Sequence, residues 1–269
     1  MLRRTFMYKL ISADMDGTLL NQNHVLSDKT VTTLKKVREL GIKVVLVSGR
    51  EYNSLRFFMK QLGLENFTIC LNGANLYRRE KLVSGEPIER EICSEIIHLS
   101  EKNGVYVILF DDKKVYVEKS TNYMNLGDYI EDWSAVGKLS SFYDNQTMYK
   151  IVLIEERKKL LKLKDILLDK FSHKINANFS LPNYLEIFSK KVDKGSMLKK
   201  VADHYGIKRE DILAIGDWDN DIPMIKYAGL GIAMENGSRG LKSVADYITK
   251  SNREDGAAYA MEKFILSRV

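Results

Sequence analysis

From residue 8 onward the chain alternates short, continuous apolar runs with longer stretches whose apolar residues recur every three or four positions. The first pattern suits strands buried on both faces and the second suits helices with one buried face. Their alternation is the mark of βαβ units around a largely parallel sheet. Residues 8–13 read as a strand. Ser27 is placed to cap a helix that turns Val31, Leu34, Val37 and Leu40 inward and stops at Gly41. The β-branched run 42–47 is a second strand, followed by a helix over 51–62 with Gly63 past its end. Residues 67–71 form a third strand, ending in Asn72-Gly73, a pair that tolerates the backbone of a tight turn.

The texture changes from about Leu82. Apolar runs at 105–110 and 114–118 lie too close together for a helical crossover and must pair antiparallel. A helix over 94–103, a strand over 148–154, a helix over 156–171 and strands over 174–179 and 184–188 complete this region. The parallel texture returns with a helix after Asp193, a strand over 212–215, a helix over 221–227, a strand over 231–234 and an amphipathic helix from about Asp255. The expected fold class is therefore α/β: a Rossmann-like core with a mainly parallel sheet flanked by helices, plus an inserted α/β cap domain with a mainly antiparallel sheet. The core takes residues 1–83 and 189–269, and the cap residues 84–188. With three prolines, no internal repeat and no low-complexity tract, these junctions rest on the change of pattern alone.

Composition narrows the function classes. A chain of 269 residues buries a core large enough to fold without staples, and Cys70 and Cys93 lack metal-ligand spacing. They read as ordinary thiols of a reducing cytoplasm. No apolar run approaches the roughly 20 residues of a membrane span, so a membrane partner is not expected. Residues 1–6 read as a leader or as lying upstream of a start at Met7. The charge balance is +6, from 42 Lys and Arg against 36 Asp and Glu. The basic residues are scattered, as in Lys158-Lys159 and Lys199-Lys200, without interleaved aromatics, which disfavours a nucleic-acid partner. His24, His98, His173 and His204 show no ligand spacing and read as surface or partly packed residues.

The candidate chemistry sits at strand ends. Asp14 and Asp16 follow the first strand in Asp14-Met15-Asp16-Gly17-Thr18-Leu19-Leu20, and carboxylates two apart on extended backbone project to one side. A second acidic run, Gly216-Asp217-Trp218-Asp219-Asn220-Asp221, also follows an apolar strand and precedes a helix. Ligands of α/β sheets bind beyond the carboxyl ends of strands, so both runs belong to one cleft. Carboxylates gathered there repel one another unless a hard cation relieves them, and magnesium, which also bridges to phosphate oxygens, is the natural choice. Ser48-Gly49-Arg50 and Asn72, at the next two strand ends, suit a phosphate. Lys194, at a helix start behind Asp193 as N-cap, could face the same anion.

On these residues the chain resembles the haloacid dehalogenase superfamily of phosphohydrolases, in particular its Cof-type, sugar-phosphatase-like branch with a type IIB cap. Four motifs in order carry the resemblance: Asp14-Met15-Asp16-Gly17-Thr18, Ser48-Gly49-Arg50, Lys194-Gly195, and Gly216-Asp217 with Asn220-Asp221. Asn72-Gly73-Ala74, Ala245-Asp246-Tyr247-Ile248-Thr249 and Asp255-Gly256 support it. The resemblance implies a magnesium-dependent phosphatase with Asp14 as nucleophile and Asp16 as general acid and base. Asp14, Asp217 and the Asp16 carbonyl would hold Mg2+. Met15, Ser48, Gly49, Arg50, Asn72, Lys194 and Asn220 would bind the phosphate, and Asp221 would stand behind them, orienting Lys194 or a metal-bound water. The cap would close over a small-molecule phosphate ester, with Tyr123, Trp133, Asn183, Tyr184 and Glu186 as candidates to reach the leaving group. Trp218, where the family usually carries a small or polar residue, could narrow the cleft, but the favoured expectation is that it shields the metal loop by burying area, and Asp219 is expected to be solvated.

Hexose or pentose phosphates are the first substrates expected, then pyridoxal phosphate and flavin mononucleotide. The rival functions are a hexose phosphomutase of the same superfamily and a non-catalytic phospho-acceptor switch. Asp16 argues against the switch, because an acid and base beside the acceptor turns a stable phospho-aspartate into a turnover intermediate.

Overall fold

The computed structural model describes residues 8–121, 133–144 and 146–268. Two compact units divide the chain. One runs to Gly49, resumes over Arg56–Lys81 and takes everything from Asp193 onward; the other comprises Arg50–Leu55 and Leu82–Val192.

The first unit opens with β1 (Leu10–Asp14), buried at every position, then α1 (Asp28–Glu39), β2 (Lys43–Val47), the part of α2 (Tyr52–Leu62) from Arg56 onward, β3 (Phe67–Cys70) and β4 (Asn75–Arg78). The Ser27 side chain accepts a hydrogen bond from the Thr30 amide at the start of α1, which buries Leu34 and Val37 and leaves Val31 and Leu40 half-buried. After β3, Leu71, Asn72 and Gly73 take φ values of 50°, 59° and 101°, and this left-handed run reverses the chain into β4. β4, antiparallel to β3, was not anticipated.

β5 (Lys81–Gly85) leads into the second unit, which contains α3 (Arg90–Lys102), β6 (Tyr106–Phe110), β7 (Val115–Val117), β8 (Trp133–Ala135), α4 (Leu139–Phe142), β9 (Lys150–Ile154), α5 (Arg157–Phe171), β10 (Ile175–Leu181) and β11 (Tyr184–Ser189). Its sheet has the order β10-β11-β9-β6-β7-β8 and is antiparallel except for β8, which runs parallel to β7. α3 and α5 cover one face: Ile92, Ile96, Leu160, Leu163 and Leu167 share a core with Val107, Leu109, Leu153, Leu185 and Ile187. α3 starts four residues earlier than its periodicity implied, because Ile92 and Cys93 already belong to its buried face. Both cysteines are buried, and burial pushes the Cys93 thiol up to about 12.

The first unit is completed by α6 (Lys194–Tyr205), β12 (Ile212–Gly216), α7 (Ile222–Tyr227), β13 (Leu230–Ala233), α8 (Arg239–Lys242), β14 (Tyr247–Ile248) and α9 (Gly256–Phe264). Six strands of its sheet are parallel, in the order β14-β13-β12-β1-β2-β3, and β4 extends it antiparallel to β3. From β1 the chain winds outward through β2 and β3 in one direction and through β12, β13 and β14 in the other, so β1 and β12 flank the switch point where such sheets bind ligands. The register brings the ends level: Ala13 faces Ile215, Asp14 faces Val47, and Val47 faces Ile69. Among the described residues, no helix is long and apolar enough to cross a membrane.

Ser27 also donates to Asp255 Oδ1 at 2.5 Å, which ties the start of α1 to the start of α9. Replacing Ser27 with Ala should lower stability by about 1 kcal/mol, read as a shifted denaturant midpoint with an unchanged slope.

Candidate active site

Asp14, the last residue of β1, is 5% exposed. The chain then winds through Met15–Leu19 into a turn closed by the Leu20 amide donating to the Met15 carbonyl at 2.9 Å. Gly17 allows this turn, with φ of 77°. A Cβ there would lie 2.2 Å from Asp217 Oδ2, so a larger residue would both strain the backbone and displace that carboxylate. Thr18 Oγ1 reaches Asp217 Oδ1 at 3.4 Å, a contact the sequence reading did not assign. The Asp16 side chain is 41% exposed and lies outside the buried carboxylate group, with His24 Nδ1 3.7 Å away.

Lys194 enters from the start of α6. Asp193 caps that helix by accepting from the Ser196 amide at 2.7 Å, while Ser196 Oγ accepts from the Asp193 amide at 2.9 Å. The Lys194 side chain is 1% exposed, and Nζ donates to Asp14 Oδ1 and to Asp221 Oδ1, each at 2.6 Å. Asp221 is fully buried, and its Oδ2 accepts from the amides of Asp217 (2.9 Å) and Trp218 (3.1 Å). Gly216 permits this, since a Cβ there would meet Asp221 Oδ2 at 2.6 Å. Asp14, Asp217 and Asp221 each present a carboxylate oxygen within 4.8 Å of the others.

The neighbouring strand ends carry the neutral groups. The Ser48 amide donates to the Ile69 carbonyl at 2.9 Å and the Asn72 amide to the Ser48 carbonyl at 3.0 Å. A Cβ on Gly49 would sit 3.1 Å from Asn72 Oδ1, the atom that also accepts from Asn220 Nδ2 at 3.0 Å. Asn220 Oδ1 is buried without a hydrogen-bond partner, an orphan of the kind that a bound ligand or water satisfies. Met15 is buried within the turn. Arg50 is buried too, but by its packing it groups with the second unit.

Trp218 differs from expectation. Its side chain is 45% exposed, because the inward positions of this loop are occupied by the Asp221 carboxylate, which collects the amides of residues 217 and 218 and leaves the ring at the surface. Asp219 is exposed and accepts from Ser238 Oγ at 2.5 Å. Of the residues expected to meet the leaving group, Trp133, Asn183, Tyr184 and Glu186 belong to the second unit, and Tyr123 lies outside the described residues. Glu186 accepts from buried Lys150 at 3.2 Å.

Three carboxylates share one ammonium, which leaves a surplus of buried negative charge. Burial, reinforced by the charges of Asp221 and Asp217, holds Asp14 well above the usual carboxylate range against the pull of Lys194. Burial and then the Asp221 charge push Asp217 up to about 7. Lys194 is held charged: burial works against its ammonium, and Asp14 and Asp221 together outweigh that. A close set of hard oxygen donors with excess negative charge fits a hard divalent cation.

This parallel sheet, with a carboxylate and lysine cluster at its strand ends and a second α/β unit inserted in the chain, defines a hydrolase of the α/β class. Residues 11–261 match the model of the haloacid dehalogenase-like hydrolases, and the chain belongs to that family. One relative, the 5-amino-6-(5-phospho-D-ribitylamino)uracil phosphatase YcsE of Bacillus subtilis, is 30% identical over 96% of this chain and 96% of its own length. A haloacid dehalogenase-like hydrolase from Bacteroides thetaiotaomicron superposes with a TM-score of 0.86 at 28% identity, over 96% of this chain and 100% of that one. A Thermotoga maritima protein superposes at 0.82 with 32% identity, over 96% and 97% of the two chains.

The raised Asp217 pKa has a consequence for stability. Between its ordinary value of 3.8 and about 7 the folded state keeps a proton that the unfolded chain releases, so this residue's contribution to stability falls as pH rises through that window. Asp217→Asn removes the effect. Thermal melts without divalent cation should show the variant gaining on the wild type between about pH 4 and about pH 8. Added Mg2+ should shrink that gain, because it rewards the charged Asp217.

Proposed function

We propose that this chain is a magnesium-dependent phosphatase that hydrolyses small-molecule phosphate monoesters through a phosphorylated Asp14. The observation that carries the reading is the buried Lys194 ammonium, 2.6 Å from both Asp14 and Asp221, with the Asp217 carboxylate alongside. Asp14 Oδ2 attacks phosphorus and the bond to the ester oxygen breaks. Asp16, exposed enough to exchange protons with water, protonates that departing oxygen, and the alcohol leaves. Asp16 then takes a proton from the water that attacks the aspartyl-phosphate, which releases phosphate and restores Asp14.

A carboxylate approaches a phosphate dianion against charge repulsion. Lys194 offsets part of it, and donors at Ser48, Asn72, Asn220 and the backbone of Met15 and Gly49 hold the phosphoryl oxygens, with Arg50 assigned to the same task. Asp14, Asp217 and the Asp16 carbonyl are the groups that would hold Mg2+, which when bound neutralises the charge of the transferring group. Asp221, tied to Lys194 and to two backbone amides, keeps the lysine in place rather than binding the cation.

The inserted segment, residues 84–188, is assigned the choice of leaving group. A phosphorylated sugar or polyol is the favoured substrate class. Three Bacillus subtilis relatives, YcsE, YitU and YwtE, carry the name of a phosphatase for a phosphoribityl compound, which supports a pentose-like chain next to the ester.

A screen of phosphate release over sugar and polyol phosphates, with and without Mg2+, tests the reading. Wild type should release inorganic phosphate in step with the free alcohol, only with the cation, and Asp14→Asn should lose turnover by at least about 10³-fold while keeping its fold. Formation of an isomeric sugar phosphate without phosphate release would make the chain a mutase. A long-lived phosphorylated Asp14 without turnover would make it a switch.

A further inference from the structure

Two asparagines far from Asp14 in sequence converge on the turn that carries Asp16. Asn236, in the loop after β13, donates from Nδ2 to the Gly17 carbonyl at 2.9 Å. Asn252, in the turn before α9, donates from Nδ2 to the Leu20 carbonyl at 2.9 Å. The two are joined to each other, since the Asn252 amide donates to Asn236 Oδ1 at 2.9 Å. The loop holding Asn236 is anchored in turn to the second acidic run: the Ser238 amide donates to the Asp217 carbonyl at 2.8 Å, and a Cβ on Gly237 would lie 2.8 Å from that same oxygen. One loop thus touches the backbone next to Asp16 and the backbone of Asp217.

We propose that Asn236 and Asn252 are positioning residues that hold the Met15–Leu20 turn in the one conformation from which Asp16 reaches the leaving oxygen. The inference rests on the phosphatase reading above. Asp16 is on the exposed side of the turn, and the residue after it is a glycine in the left-handed region, so the backbone can pivot there at little cost. Asp16 moves with that backbone, so the bonds that hold the turn also help to place its carboxylate. The amide side chain at 236 donates to one carbonyl and accepts from one amide at once. An aspartate would lose the donor, and an alanine would lose both. Asp14 sits at the end of a buried central strand and does not depend on this clamp. Losing the clamp should therefore impair proton delivery and leave nucleophilic attack largely intact.

Leaving-group chemistry separates these two effects. An alkoxide cannot depart without a proton, whereas p-nitrophenolate departs without one, and kcat/KM covers only steps through departure. Asn236→Ala and Asn252→Ala should each lower kcat/KM at least about tenfold for an alkyl phosphate such as a hexose phosphate and by no more than about threefold for p-nitrophenyl phosphate. Asn236→Asp, equal in size to the native residue, should show the same split if the alanine variants fold poorly, with thermal melts run alongside. Equal losses on both esters, or no loss on either, would overturn the inference while leaving the phosphatase reading intact. A wild type that releases phosphate from neither ester would remove that reading, and the inference with it.

Discussion

The first unit is arranged around one buried ammonium. Lys194 is 1% exposed, and a buried cation is tolerable only with carboxylates held at hydrogen-bond distance, here Asp14 and Asp221. That requirement forces three separate pieces of chain together: the end of β1, the start of α6 and the loop after β12. Close backbone approach makes it possible. A Cβ on Gly195 would lie 2.4 Å from the Pro223 carbonyl oxygen, and one on Gly73 would lie 2.4 Å from the Asp193 carbonyl oxygen. Glycines at these positions let α6 sit close enough for a lysine on its first turn to reach the strand ends.

The same cluster is incomplete as a set of charges. Asp221 already accepts one hydrogen bond from the lysine and two from backbone amides, whereas Asp217 has a single long contact from Thr18. The two carboxylates of one loop are thus divided by their hydrogen bonding: one is committed to the fold, and the other is available to an incoming cation. The raised values of Asp14 and Asp217 express the cost of assembling the group without that cation. Stability is given up locally in exchange for a site already shaped for positive charge.

The elements that the sequence made legible are those with a period. Lys43–Val47, α1 with its Ser27 cap and the helices of the inserted unit were readable because burial repeats along them. The two acidic runs were readable because both interrupt the chain just after an apolar strand, and the register Ala13 to Ile215 sets those ends side by side. Short pieces were not readable. β4 and β14, of four and two residues, are too brief to show alternation, and β8 is defined by pairing with β7 rather than by its own three residues. Trp218 was misjudged because hydrophobicity argues for burial, while the hydrogen bonds of Asp221 decide which way the loop faces. Thr18, Asn236 and Asn252 reach the first turn or the second acidic run through bonds to partners about 200 residues or more away, and such bonds leave no local pattern.

Asp14 and its lysine are 180 positions apart, and β1 lies between β2 and a β12 that begins only at Ile212. On the ribosome, at about 5 to 20 residues per second, roughly 10 to 35 seconds separate their synthesis. The contiguous stretch Leu82–Val192 can fold in that interval, but β1 must wait with one flank unpaired, an apolar edge open to other chains. The nascent enzyme is therefore most exposed to aggregation just before β12 emerges, and chaperones should engage it then.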